Sequence, residues 1–183
     1  MSNEISNERK TSQPKITKRI ATSGIMVAVG LVLSYLNVFA YFTLFGTKIN
    51  PYIHIINAVM GVLVGLSFAL ITALALASLR FALALGTIHA FHGGMAGALV
   101  VGTVAYFLWK KYPKYVPFAA LTEPLGTVFI GGTIAQLIVP LGDVGLFIYW
   151  GLFALSCIPG CIVGFLVLLS LKKAGISRED FFD

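Results

Sequence analysis

Acidic side chains are scarce in this 183-residue chain: seven Asp and Glu stand against thirteen Lys and Arg, and charged residues of both signs make up only 11%. A soluble globule of this size needs more polar surface than that to cover itself. The scarcity of acids also weakens any scheme that relays protons through the membrane, because Glu123 is the main carboxylate within the apolar part of the chain. Catalytic signatures are missing as well. The chain has no phosphate-cradling P-loop, no His-Glu-x-x-His helix and no Gly-x-Ser-x-Gly elbow, so no catalytic residue is assigned and the chain is not read as an enzyme. Cysteine is limited to Cys157 and Cys161, one helical turn apart in the last apolar stretch, where packing is the default role. A cleavable leader is not expected either. Residues 1–15 are polar, and the first apolar segment runs into aromatics with no small-residue cleavage site.

What the chain has in quantity is apolar sequence, 58% of all residues. Residues 18–36, 89–109, 117–139 and 147–171 are each long enough for the roughly 30 Å of a bilayer's hydrocarbon. Residues 51–85 are harder to place, because one helix of that length would run to about 52 Å. Two short spans fit better, with a tight turn within residues 61–67 where Gly61 and Gly65 accept unusual backbone angles. Charge parity points the same way. With six spans, Arg9, Lys10, Lys15, Lys18 and Arg19 share a side with Lys110, Lys111 and Lys114 and with Lys172, Lys173 and Arg178, leaving Lys48 and Arg80 opposite. The cations therefore read as topology; they flank spans and form no stripe, so a nucleic-acid partner is not expected. The expected fold is all-α: a polytopic protein of the cell membrane, six transmembrane helices, both termini cytoplasmic. A polar tail (1–17) precedes the membrane domain (18–171), and a second tail (172–183) follows it.

Polar residues left within this apolar sequence are the candidate site for a small-molecule substrate. Arg80 falls near the outer end of the third span and reads either as a ligand donor or as an anchor snorkelling to headgroups. His54 and Asn57, one turn apart, share a face of the second span, as ligand contacts or as an interhelical clip. Thr87, His89 and His92 fall at the outer mouth of the fourth span. Without a third ligand at matching spacing, the two histidines are not read as a metal site. Gln136, near the outer end of the fifth span, is a further candidate, and Tyr149 either stacks on a ligand ring or anchors at the interface. Glu123, about 9 Å from the cytoplasmic end at helical rise, reads as a structural or transport-coupling group too deep for the ligand. In the first outer loop, Phe39, Tyr41, Phe42 and Phe45 are either interface anchors or a lid. Small residues at three- and four-residue spacing run along the fourth span (Gly93, Gly94, Ala96, Gly97, Ala98, Gly102), and recur as Gly24 with Ala28 and as Gly160 with Gly164. They serve close packing inside the chain or docking of another subunit.

The ordered set Pro51-x-x-His54-x-x-Asn57, Arg80, Gly86-Thr87, Ala90-Phe91 and Gly93-x-Met95-x-Gly97-Ala98, continued by Glu123, Gly126-Thr127 and Pro140, resembles the thiazole-specific S components of energy-coupling factor transporters, the ThiW family. The resemblance covers about residues 18–142. It implies a six-helix subunit that captures the hydroxyethylthiazole precursor of thiamine on the outer side of the membrane. It implies partners too: a transmembrane coupling subunit and two ATPases, which use the ATP, so no cofactor is expected in this chain. Gly24-x-x-x-Ala28 is similar to the small-residue pattern with which such subunits meet the coupling subunit. The main alternative is a self-sufficient secondary carrier or channel for a small solute.

Overall fold

A single backbone feature divides the long apolar stretch. Gly65 adopts φ 98°, ψ 168°, a conformation closed to residues with a side chain, and the chain reverses there. The expected turn is thus one residue. Gly61 stays helical, and its missing side chain instead admits Val101, whose Cγ1 would lie 2.7 Å from a Cβ.

The computed structural model describes the backbone of residues 2–37, 43–44, 47–140 and 142–182, and the side chains of residues 15–37, 48–140 and 142–182. Phe39, Tyr41, Phe42 and Phe45 lie outside the described residues. Helix α1 (Ser2–Tyr35) carries the polar N-terminal residues as a continuation of the first apolar segment. A two-residue hairpin, β1 (Thr43–Leu44) with β2 (Thr47–Lys48), pairs antiparallel with Thr43 opposite Lys48. Then follow α2 (Tyr52–Val59), its π-helical continuation Met60–Val64, α3 (Leu66–Ala82) and α4 (His89–Lys111). The fifth segment starts as a 3₁₀ helix (Pro113–Thr122), passes through a π-helical stretch (Leu125–Gly131) and ends as α5 (Gly132–Ile138). Helix α6 (Leu146–Lys173) and the short α7 (Glu179–Phe182) complete the chain.

The fold is thus essentially all-helical, and its outer surface is apolar: Ile20, Ile25, Val32, Leu137, Phe147 and Leu166 are among the large side chains that stand exposed. Four helices are long and apolar enough to cross a membrane, Lys15–Tyr35, His89–Lys111, Pro113–Ile138 and Leu146–Lys173, while Tyr52–Val64 and Leu66–Ala82 are shorter. At 1.5 Å per residue the 17 residues of α3 reach about 25 Å. Between the helices the core is built largely from small side chains. Ala58, Ala98, Ala105, Ala119 and Ala120 are completely buried, which lets backbones approach closely where lipid supplies no hydrophobic drive.

One end of the bundle is closed by arginines. The π-helical turn and the reversal at Gly65 free backbone carbonyls, and Arg178 Nη1 donates to those of Gly61 (3.3 Å) and Val62 (2.6 Å). Arg19 Nε donates to that of Val64 at 3.1 Å. Both guanidinium groups lie over the ring of Phe182, at 4.3 Å for Arg19 and 4.4 Å for Arg178. Burial, with Arg19 close by, lowers the Arg178 pKa to about 10, so it stays a cation at neutral pH. Lys18 Nζ also donates to the Asp180 carbonyl, tying α1 to α7. Replacing Arg178 with Ala should therefore destabilise the fold by about 2 kcal/mol, since charged hydrogen bonds to buried carbonyls are lost together. The check is the thermal unfolding midpoint in detergent, where Arg178→Lys should recover part of the loss.

Candidate functional site

Glu123 organises the interior. It is completely buried, and its Oε1 shares a hydrogen bond with His54 Nδ1 at 2.7 Å and accepts one from Asn57 Nδ2 at 2.8 Å. As a carboxylate Glu123 only accepts, and His54 then carries a proton on Nδ1 toward it. Asn57 Nδ2 also donates to the Gly94 carbonyl (3.0 Å), and Thr127 Oγ1 donates to the Gly93 carbonyl (3.1 Å). These bonds tie α2, α4 and the fifth segment together. They depend on absent side chains. A Cβ at Gly97 would strike Thr127 Oγ1 and lie 2.8 Å from Glu123 Oε1, and one at Gly126 would strike the Ala96 carbonyl. Internal packing is thus what Gly97 and Gly126 provide.

The 3₁₀ start of the fifth segment, at about 2.0 Å per residue, puts Glu123 about 12 Å beyond Pro117 where α-helical rise gave about 9 Å, and its bond to His54 sets it level with that residue of α2. It is not a lone carboxylate: two side chains of α2 hold it.

Beside this network lies a small open-mouthed cavity with about 60 Å³ of room for water-sized groups. His54, Arg80, Thr87 and His89 line it, so four of the expected site residues converge from α2, α3, the following turn and α4. Arg80 is 5% exposed and faces this space, and its backbone carbonyl accepts from the amides of Leu85 and Gly86. That tight turn, with Ala84 at φ 55°, folds the chain back over the arginine. His89 packs edge-on against Tyr149 (ring centroids 6.2 Å) and Phe153 (6.4 Å).

Other expected residues are elsewhere. Asn57 lies behind the wall, on Glu123. Tyr149 is fully buried, reaching the Val139 carbonyl at 3.2 Å, and supports His89 from outside the cavity. His92, its ring 6.0 Å from that of His89, and Gln136 on α5 are not on the cavity wall. Successive helical residues point about 100° apart, so His92 cannot share its neighbour's direction fully. Gly24 and Ala28 are exposed on α1, and among the described residues nothing lies within 4 Å of where a Gly24 Cβ would go.

Several wall residues carried no assigned role in the sequence reading: Lys48, Asn50, Thr127, Phe153 and Ser156. Asn50 is held by Ser156, whose Oγ accepts from the Asn50 amide at 2.9 Å, and by its own Nδ2 donating to Ser34 Oγ at 3.0 Å. A signal existed for Ser156, a hydroxyl inside the most apolar helix. His54, Glu123 and Cys157 bring donor atoms within 4.8 Å of one another. The 2.7 Å His54–Glu123 contact suits a hydrogen bond, since two ligands of one tetrahedral zinc would stand about 3.3 Å apart.

A family model described as thiamine-precursor transporter protein (ThiW) matches residues 20–174. The chain belongs to the ThiW family. No curated protein and no solved structure matches it. The match covers all six apolar segments and every cavity-lining residue. Membership makes the chain one of a family of transporters, in keeping with its several apolar helices, and ties it to thiamine precursors.

Because Glu123 accepts from two buried donors, Glu123→Ala should destabilise the protein by about 3 kcal/mol, each orphaned donor contributing roughly 1–3 kcal/mol. Glu123→Gln, which retains an acceptor oxygen, should recover about half in the same thermal-unfolding measurement.

Proposed function

We propose that this ThiW protein is the substrate-capturing S subunit of an energy-coupling factor importer. It takes hydroxyethylthiazole, or a closely related thiamine precursor, from the outer side of the cell membrane. One observation carries the reading: an open-mouthed cavity whose polar wall converges from α2, α3, α4, the fifth segment and α6 and is backed by the Glu123 network. Its polar wall offers hydrogen bonds to a ring nitrogen and a hydroxyl, and Phe153 and Leu152 offer apolar contact. The proposed topology has six spans and both termini in the cytoplasm, so the cavity opens outward, away from the arginine-closed end with its many cations. His54, Arg80, Thr87 and His89 contact the ligand directly; Asn57 and Tyr149 hold their neighbours in place. His92 and Gln136 would act only if the ligand-bound form draws them in.

Alone, the chain binds and does not hydrolyse ATP. Two partner ATPases supply the energy through a transmembrane coupling subunit, which docks on the bare face of α1 at Gly24 and Ala28. The alternative of a self-sufficient secondary carrier draws on the buried His54–Glu123 pair, which could hold a proton.

Saturating hydroxyethylthiazole, at about 100 times its Kd, should stabilise the purified protein by about 2.7 kcal/mol, read as a rise in unfolding midpoint. Gly94 lines the cavity with open space above its Cα, so Gly94→Val should abolish that rise while moving the ligand-free midpoint little. Absence of any shift with thiazole, pyrimidine or thiamine compounds would refute ligand capture. The double variant Gly24→Leu, Ala28→Leu should bind ligand normally yet lose uptake in cells by tenfold or more. Solute movement in proteoliposomes holding only this chain would favour the carrier.

A further inference from the structure

The buried arginines at the two ends of the bundle differ. Arg178 has its Nη1 on two carbonyls and its charge over two aromatic rings. The Nε of both arginines is enclosed without a partner; Arg80, equally buried at 5% exposure, differs in that it makes no side-chain hydrogen bond at all among the described residues. Its charge is also unanswered. His54–Glu123 is the sole ion pair among the described residues, and no carboxylate lines the cavity that Arg80 faces. Glu123 stands behind the wall, off the cavity lining, its Oε1 taken by His54 and Asn57 and its Oε2 buried without a hydrogen-bond partner.

The surroundings of Arg80 add positive potential. Lys48 is on the same wall, held in place by its Nζ donating to the Ala84 carbonyl at 2.7 Å, which leaves further N–H bonds on the ammonium. Helix α4 begins at His89 on this wall with no acidic residue in its first turn, so the positive end of its dipole is not neutralised there. Thr87 and Ser156 add hydroxyl donors. Two unpartnered buried atoms on this wall run against the trend: Asn50 Oδ1, an acceptor, and His89 Nδ1, an acceptor in one of the ring's two tautomers.

Burying an arginine without a counter-ion is unfavourable unless something completes it. We propose that the ligand completes it: the cavity takes a small heterocycle bearing an oxyanion, a phosphate monoester or a carboxylate, which Arg80 grips through its planar fork with Lys48 at the rim. The inference rests on the thiazole-capture reading and specifies the charge of its ligand. The same potential opposes a cation, so the cavity discriminates against intact thiamine, whose ring is a positively charged thiazolium, in favour of its uncharged or anionic thiazole precursors.

Titration of the full chain in nanodiscs of purely zwitterionic lipid tests this, with five probes: hydroxyethylthiazole, its phosphate monoester, a thiazole carboxylate, thiamine and inorganic phosphate. The phosphate ester or the carboxylate should bind at least tenfold tighter than the neutral alcohol, and thiamine at least tenfold weaker. Arg80→Gln should collapse the anion-to-neutral ratio to within about twofold, and Arg80→Lys should keep part of it. Equal or tighter binding of the neutral alcohol, or a ratio unchanged in Arg80→Gln, overturns the charge assignment and leaves thiazole capture standing. Inorganic phosphate competing as well as the ester overturns it too, since the site would then read an anion without a ring. If anionic lipid added to the discs displaces the ester and matches its Arg80 dependence, the oxyanion is a headgroup and the proposal falls. No binding by any thiazole would instead defeat the capture reading itself.

Discussion

A carboxylate buried completely inside a lipid-facing bundle constrains everything around it. Taking such an ion out of water is unfavourable by several kcal/mol, whereas a hydrogen bond between membrane helices contributes on average about 0.6 kcal/mol. Glu123 therefore needs several donors, and it needs them at short range. His54 and Asn57, one turn apart on α2, supply them, and Asn57 passes the connection on to the Gly94 carbonyl of α4. That in turn requires α4 and the fifth segment to approach almost backbone to backbone, which Gly97 and Gly126 permit. The cavity exists because this packed network stops at His54 and Thr127, leaving the space between them and the outer turns unfilled.

The two ends of the bundle solve opposite problems with the same side-chain type. At the end closed by α7, the reversal at Gly65 leaves carbonyls without helical partners, and Arg19 and Arg178 donate to them while lying on aromatic faces. Those arginines are structural because Arg19 Nε and Arg178 Nη1 bond backbone carbonyls, although the Nε of Arg178 is itself without a partner. At the other end Arg80 is as deeply buried and makes no side-chain hydrogen bond among the described residues, beside a small open-mouthed cavity.

Much of this was legible residue by residue. The apolar runs and the excess length of residues 51–85 implied six segments, and the break at Gly65 lies inside the stretch where a turn was expected. His54 and Asn57 were legible as a pair because helical spacing alone puts them on one face. Arg80 stood out as a cation in apolar sequence, but its two readings, snorkelling anchor or ligand donor, differ only in which way the side chain points. The partners of Glu123 were not legible because they lie on another segment, and nothing in Pro113–Thr122 announces a 3₁₀ helix beyond its two prolines. Lys48 and Ser156 were passed over since each is an ordinary residue until distant segments bring it to a shared wall.

By itself, then, the sequence determined the membrane class, the number of apolar segments, the family and the polar residues from which a site could be drawn. Periodicity, length and charge bias are local quantities, and they suffice for these. Which polar groups pair with each other and which are left facing the cavity was decided only by the tertiary structure. Pairing depends on ångström-scale distances between helices, set by missing side chains at Gly97 and Gly126 and by helix rise in the fifth segment. Glu123 came out held and Arg80 came out free for that reason, although in the sequence both are single charges among apolar neighbours.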